Sequence, residues 1–160
     1  MTRVLGIDPG SRATGYGIVD VARGDLSYVA SGCIRTTVGE FAARLAEVHR
    51  GVQQIVADYA PQVAAVEQVF VARSASSALK LGQARGAALV ALVGAGLAVS
   101  EYAPRRIKQA VTGTGGATKQ QVQHMVRLLL NLDRAPGSDA ADALAIAICH
   151  INTLGPNLHA

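Results

Sequence analysis

Residues 3–36, RVLGIDPGSRATGYGIVDVARGDLSYVASGCIRT, decide how this chain folds. The opening RVLGIDP is an apolar run with Asp8 near its end, the pattern of a central strand that is largely buried. TGYGIVDVA at 14–22 and DLSYVASGCIRT at 25–36 alternate apolar and polar residues, and the glycines of the former mark close backbone approach. The links GSRA and RGD are short and turn-rich, so the three segments predict an antiparallel meander.

Beyond this stretch the period changes. Phe41, Leu45, Val48, Val52, Ile55, Val56 and Tyr59 recur at helical spacing and Pro61 stops the run, which predicts a helix over 39–60. QVAAVEQ at 62–68 is a short buried strand, expected to run parallel to an earlier one because it follows a helix. After the polar ARSAS a long helix is expected over 76–93. Its Gly82, Ala84, Gly86, Ala87 and Ala88 leave a smooth side for packing on the sheet or on a second subunit. LAVSEYA at 97–103 is a fifth strand, and Pro104 opens the helix PRRIKQAV at a favourable first position. The low-complexity loop TGTGGATK carries Lys119 into the helical QQVQHMVRLLLNL, and Ser138 is expected to cap a last helix over 139–153. The order β-β-β-α-β-α-β-α-α-α predicts an α/β protein: a five-stranded mixed sheet, three antiparallel strands then two parallel, flanked by helices. At 160 residues the chain is one domain's worth, 1–160, with a short tail at its end.

Composition narrows the partners. Half the residues are hydrophobic, yet no apolar stretch reaches the roughly 20 residues of a membrane span. MTRVLGIDPG has no signal-peptide core, because Asp8 and Pro9 interrupt it. Cys33 and Cys149 have neither disulfide-framework nor zinc spacing, so a cytoplasmic protein without a membrane partner is expected. Net charge is +4, and twelve of the fifteen basic residues are Arg, the better residue for bidentate phosphate contacts.

Four of the eleven acids sit in apolar settings: Asp8, Glu67, Asp139 and Asp142. Buried, unpaired carboxylates are costly and are normally paired, hydrogen-bonded or bound to metal. Asp139 and Asp142 are three apart and share a helix face, while Asp8 and Glu67 end two strands, where α/β sheets place their sites. Hard oxygen ligands from three segments suit Mg²⁺, with Mn²⁺ as substitute. Two such ions would keep the acids ionised and serve phosphodiester cleavage, with Asp8 placed to bridge both. Lys108 and Lys119, two of the three lysines, lie on segments leading to the last helix and are candidates to hold the scissile phosphate. Phe70 follows Glu67 closely and is a candidate to stack on or wedge between bases, and Arg73 in the loop FVARSAS is a candidate DNA contact.

Plainer readings stand beside these. Asp139 and Asp142 equally suit a helix N-terminus, Asp8-Pro9-Gly10 suits a turn, and Phe70 suits a gap in the core. Glu67 is harder to explain this way, since Glu is a poor strand residue. Glu101 is expected to be a paired or surface acid, and His124 and His150 structural.

The motifs LGIDPGSRATGYG, SGCIRT, EQVF, SALKLGQARG, EYAPRRIKQAVTG, KQQVQHMV and DAADALAIA run from the N-terminus to about His150. Together they resemble the RuvC family of Holliday junction resolvases. The resemblance implies an RNase H-like fold, a homodimer, and Mg²⁺-dependent cutting of four-way DNA junctions by paired nicks with 5′-phosphate and 3′-hydroxyl ends. It also implies cooperation with a RuvA–RuvB branch-migration complex and a T-rich cleavage preference. Residue by residue, the family's catalytic acids fall on Asp8, Glu67, Asp139 and Asp142, its catalytic lysines on Lys108 and Lys119, and its junction-core aromatic on Phe70. The acids and fold alone leave RNase H and transposase-type nucleases open; the motifs separate them. A phosphotransferase of the actin-like ATPase class would need roughly twice this length, and a non-catalytic junction-binding module would not need all four acids.

Overall fold

The computed structural model describes residues 1–37, 39–68 and 73–155. Its five-stranded sheet has the order β3-β2-β1-β4-β5, built from β1 (Thr2–Asp8), β2 (Ala13–Ala22), β3 (Asp25–Arg35), β4 (Val63–Glu67) and β5 (Ala98–Tyr102). β1 pairs antiparallel with β2 and parallel with β4, β2 pairs antiparallel with β3, and β4 pairs parallel with β5. This is the expected RNase H-like mixed sheet, with β1 at its centre.

Both faces of the sheet are covered, which explains why β1 reads as one apolar run. On one face α1 (Phe41–Tyr59) and α2 (Ala75–Gly94) close over Leu5, Ile7, Ile18, Ala64 and Val66. On the other, α3 (Pro104–Thr112), α4 (Lys119–Leu129) and α5 (Ser138–Leu154) close over Val4, Val19, Val21 and Ala65. α1 ends at Ala60 in the left-handed region, and Pro61 prevents its continuation. α4 opens on a capping box in which Thr118 and Gln121 satisfy each other's backbone N–H groups.

One expected cap is different. Ser138 is the first residue of α5 rather than its cap; the cap is Gly137, which makes no side-chain bond, and its carbonyl accepts from the Ala141 N–H at 2.8 Å.

The far end of α5 is tied to β5 by a buried chain of hydrogen bonds. The Thr153 hydroxyl donates to the His150 carbonyl at 2.7 Å, so its oxygen accepts from the Tyr102 hydroxyl at 2.8 Å. Tyr102 therefore accepts from His150 Nδ1–H at 2.7 Å. His150 is then the neutral Nδ1–H tautomer, with Nε2 unpartnered among the described residues. Burial lowers its pKa and keeps it neutral. Tyr102→Phe strands this N–H in the core and is expected to cost about 1–3 kcal/mol. Equilibrium urea unfolding measures this; an unchanged midpoint would mean the chain of bonds adds nothing.

Candidate active site

The site is assembled along one row that crosses the sheet. Strand registers place Cys33 opposite Gly15, Gly15 opposite Asp8, and Glu67 opposite Tyr102. The β1–β4 register, ending at Ile7 opposite Val66, brings Asp8 level with Glu67. Neighbouring strands lie about 4.8 Å apart and their paired residues share a face. Asp8 and Glu67 thus stand side by side at the C-terminal ends of two parallel strands, and Gly15 leaves a gap in the row beside Asp8.

α5 descends into that gap. A Cβ added to Gly15 would overlap the Asp139 carbonyl, one on Gly6 would overlap the Ala143 carbonyl, and one on Gly17 would lie 2.6 Å from the Leu144 nitrogen. Three glycines of β1 and β2 therefore let the α5 backbone rest directly on strand backbone. Ala140, Ala141, Ala143, Ala145 and Ala147 add little bulk on the helix side. The first turn and a half of α5 then holds its acids over the end of β1. Carboxylate oxygens of Asp8, Asp139 and Asp142 all lie within 4.8 Å of one another.

Glu67 is outside that threesome yet acts on it, since its charge and those of Asp142 and Asp139 each raise the pKa of Asp8. Burial is the larger cause, and together they push the Asp8 carboxyl up to about 8. Glu67 and Asp142 are also raised, first by burial. Lys119 opposes this: its Nζ lies 3.2 Å from Asp142 Oδ2 and favours the ionised acid. Lys108 and Lys119 both lower Glu67. The two lysines, Glu67 and Asp142 line a pocket of about 250 Å³ floored by Ile107, Val122 and Ile146.

Of the remaining candidates, Arg73 is exposed just before α2, and no contact places it at the acids. Phe70 lies outside the described residues. Glu101 is paired, as expected, accepting from Arg85 at 2.6 Å.

Sequence reasoning missed two supports. Arg85 reaches from α2 to the Glu67 carbonyl at 3.5 Å as well as to Glu101, bracing the ends of β4 and β5. Cys33 donates its thiol to Asp139 Oδ2 at 3.7 Å, and burial raises its pKa first, Asp139 next. The strand alternation of SGCIRT could have flagged Cys33, had the hairpin register been known.

The donors fit a hard divalent cation. Every converging ligand atom is a carboxylate oxygen, and half-buried like charges at this spacing oppose their own ionisation unless a cation joins them. A family profile described as "Crossover junction endodeoxyribonuclease RuvC" matches residues 4–150, nearly the whole described chain. This chain belongs to the RuvC family. The RuvC of Aeromonas hydrophila is 58% identical over 153 residues, covering 96% of this chain and 88% of that protein. That of Vibrio campbellii is 59% identical over the same shares. Among solved structures, Thermus thermophilus RuvC in complex with a Holliday junction substrate superimposes with a TM-score of 0.91 at 36% identity, covering 99% of this chain and 98% of that one. The yeast mitochondrial Holliday junction resolvase Ydc2, 15% identical with a TM-score of 0.72, shares the fold. No helix among the described residues is long and apolar enough to cross a membrane.

Proposed function

We propose that this protein is a Holliday junction resolvase: an endonuclease that cuts four-way DNA junctions by paired, symmetric nicks leaving 5′-phosphate and 3′-hydroxyl ends. The observation that carries the chemistry is the convergence of Asp8, Asp139 and Asp142 oxygens; membership of the RuvC family carries the substrate. Asp8, Glu67, Asp139 and Asp142 are assigned as ligands of Mg²⁺, two ions per site, with Mn²⁺ as substitute. When bound, such ions supply an activated water and charge neutralisation at the scissile phosphodiester.

The chain's own residues do the rest. Asp8 feels the charge of all three other acids and would be a ligand central to the set. Lys119 Nζ lies 3.2 Å from Asp142 Oδ2 and favours its ionised form against the burial that raises its pKa. Lys108 lines the same pocket, and its ammonium and that of Lys119 are donors for the phosphate as negative charge grows on it. Phe70 and Arg73 are assigned to the junction itself, on the family's pattern.

Two equivalent cuts need two equivalent sites, which a C2 dimer on a two-fold junction supplies. The outer face of α2 supports this arrangement. Leu79, Val90 and Val93 there are 69%, 63% and 62% exposed, and Gly82 and Gly86 meet nothing that would bar a close neighbour. A RuvA–RuvB complex as partner and a cytoplasmic location complete the proposal on family grounds.

The deciding experiment incubates the protein and Mg²⁺ with a four-way junction, a duplex and an RNA–DNA hybrid of matched sequence. Paired nicks confined to the junction are expected. Preferred cutting of the hybrid would replace this reading with an RNase H activity.

A further inference from the structure

A groove of about 550 Å³ opens beside the acid cluster, between β3 and the link from α4 to α5. That size is within the roughly 300–1,000 Å³ of clefts that hold ligands. Asp139 belongs both to the groove wall and to the three-carboxylate cluster, so the groove adjoins the acids. Cys33 and Tyr28 line the groove from β3.

Its rims carry Arg35 and Arg134, both exposed. Several other arginines of this chain are engaged internally. Arg3 pairs with Asp20 at 2.8 Å, Arg44 donates to the Ser11 carbonyl at 2.6 Å, and Arg85 holds Glu101. Neither Arg35 nor Arg134 makes a side-chain hydrogen bond or ion pair with another described residue. The one other acid of the groove besides Asp139 is Asp133. With Asp139 committed to a cation, two guanidiniums face one carboxylate and the groove is net positive.

The far wall is held in shape from within. Arg127 donates to the carbonyls of Leu132 and Asp133 at 3.2 and 3.0 Å, and Asn131 turns the chain at a φ of 50°. A wall fixed in this way keeps Arg134 at the rim before any ligand arrives, which lowers the ordering cost of binding.

We propose that this groove seats the sugar–phosphate backbone of the cleaved DNA strand on the Asp139 side of the scissile phosphate, with Arg35 and Arg134 each contacting a phosphate. It rests on the resolvase reading. A strand whose scissile phosphate lies at the acids has this adjoining, positively charged path open to it. Arginine suits both contacts, because its planar fork matches phosphate oxygens.

Cys33 makes the test direct, since it is the half-buried thiol in the groove wall while Cys149 is 0% exposed. Wild-type protein is treated with N-ethylmaleimide in chelator, with and without a saturating four-way junction, and labelling of each cysteine is followed by mass spectrometry. Saturation is checked by gel shift. Bound junction is expected to slow Cys33 labelling at least tenfold; an unchanged rate at proven saturation overturns the proposal. In parallel, Arg35→Ala and Arg134→Ala should each weaken junction binding about three- to tenfold and reduce the slope of log affinity against log salt by about 0.9. Asp133→Asn should tighten it. Unchanged slopes in both arginine variants sink the proposal. A wild type that neither binds nor cuts junctions sinks the resolvase reading and the groove's role with it. A wild type that binds and cuts while Cys33 stays fully reactive sinks the groove alone.

Discussion

Asp8→Asn is expected to lower junction cleavage by at least about 10³-fold, because it removes the carboxylate that feels the charge of all three other acids of the site. The same substitution should stabilise the protein in chelator. Asp8 has its pKa raised from 3.8 to about 8 in the folded chain. The stability linked to its proton is therefore fully present below the unfolded value and is lost as pH rises through the folded one. Wild-type protein in chelator should lose on the order of several kcal/mol between pH 5 and pH 9 from this linkage, and Asp8→Asn should flatten that profile. Saturating Mg²⁺ or Mn²⁺ should reverse the wild-type loss, by about 2.7 kcal/mol at a hundredfold excess over the dissociation constant. The variant should gain little. Calorimetry across pH, with and without metal, reads the stability, and initial rates on a synthetic junction read the cleavage. Equal melting temperatures for both proteins at pH 8 in chelator would remove Asp8 from the cluster; retained cleavage would remove it from the chemistry.

Gly15→Ala should disable the site without touching a charged group. A methyl at this position overlaps the Asp139 carbonyl and comes within 3.2 Å of its Cβ, so α5 must rise from the sheet at the point where its acids are held. Overpacking of this kind costs about 1–3 kcal/mol of stability. A displacement of about 1 Å at a reacting centre costs roughly 10²-fold in rate. The variant should therefore fold, bind the junction, and cut it about 10²-fold more slowly, with a weakened response to added metal. Val19→Ala is the control: it loses core packing against α5 at a position away from the acids, so it should lower stability comparably while leaving the metal response intact. A Gly15→Ala protein that is destabilised yet cuts at the wild-type rate would show that the spacing between helix and sheet does not set the geometry of the acids.

The register explains why Cys33 did not stand out in the sequence. Counting back from the turn at Arg23 and Gly24 pairs Ala22 with Asp25 and Val19 with Tyr28. An unbroken ladder would continue to Thr14 opposite Cys33. A bulge between Ile18 and Val19 shifts the count by one, so that Gly15 meets Cys33 instead. One residue of slip exchanges the faces of a strand. The β1–β2 ladder is unbroken and sets Gly15 beside Asp8; the bulge is what brings Cys33, rather than Gly32, into that row, with its thiol on Asp139. Thr14 is buried and closes the preceding loop through Gly10.

From residue order alone came the five strands, their mixed directions and the helices between them, because periodicity and turn chemistry act over a few residues. The shared face of Asp139 and Asp142 is equally local, being one helical turn. Tertiary structure alone decided that Asp8 belongs with them while Glu67 acts from one strand away. That outcome depends on how closely α5 settles on β1 and β2, and so on three glycines and a row of small helix residues drawn from opposite ends of the chain. Close packing between distant segments leaves no periodic signature, so the sequence offered the four acids as one set and only the fold fixed the distances among them.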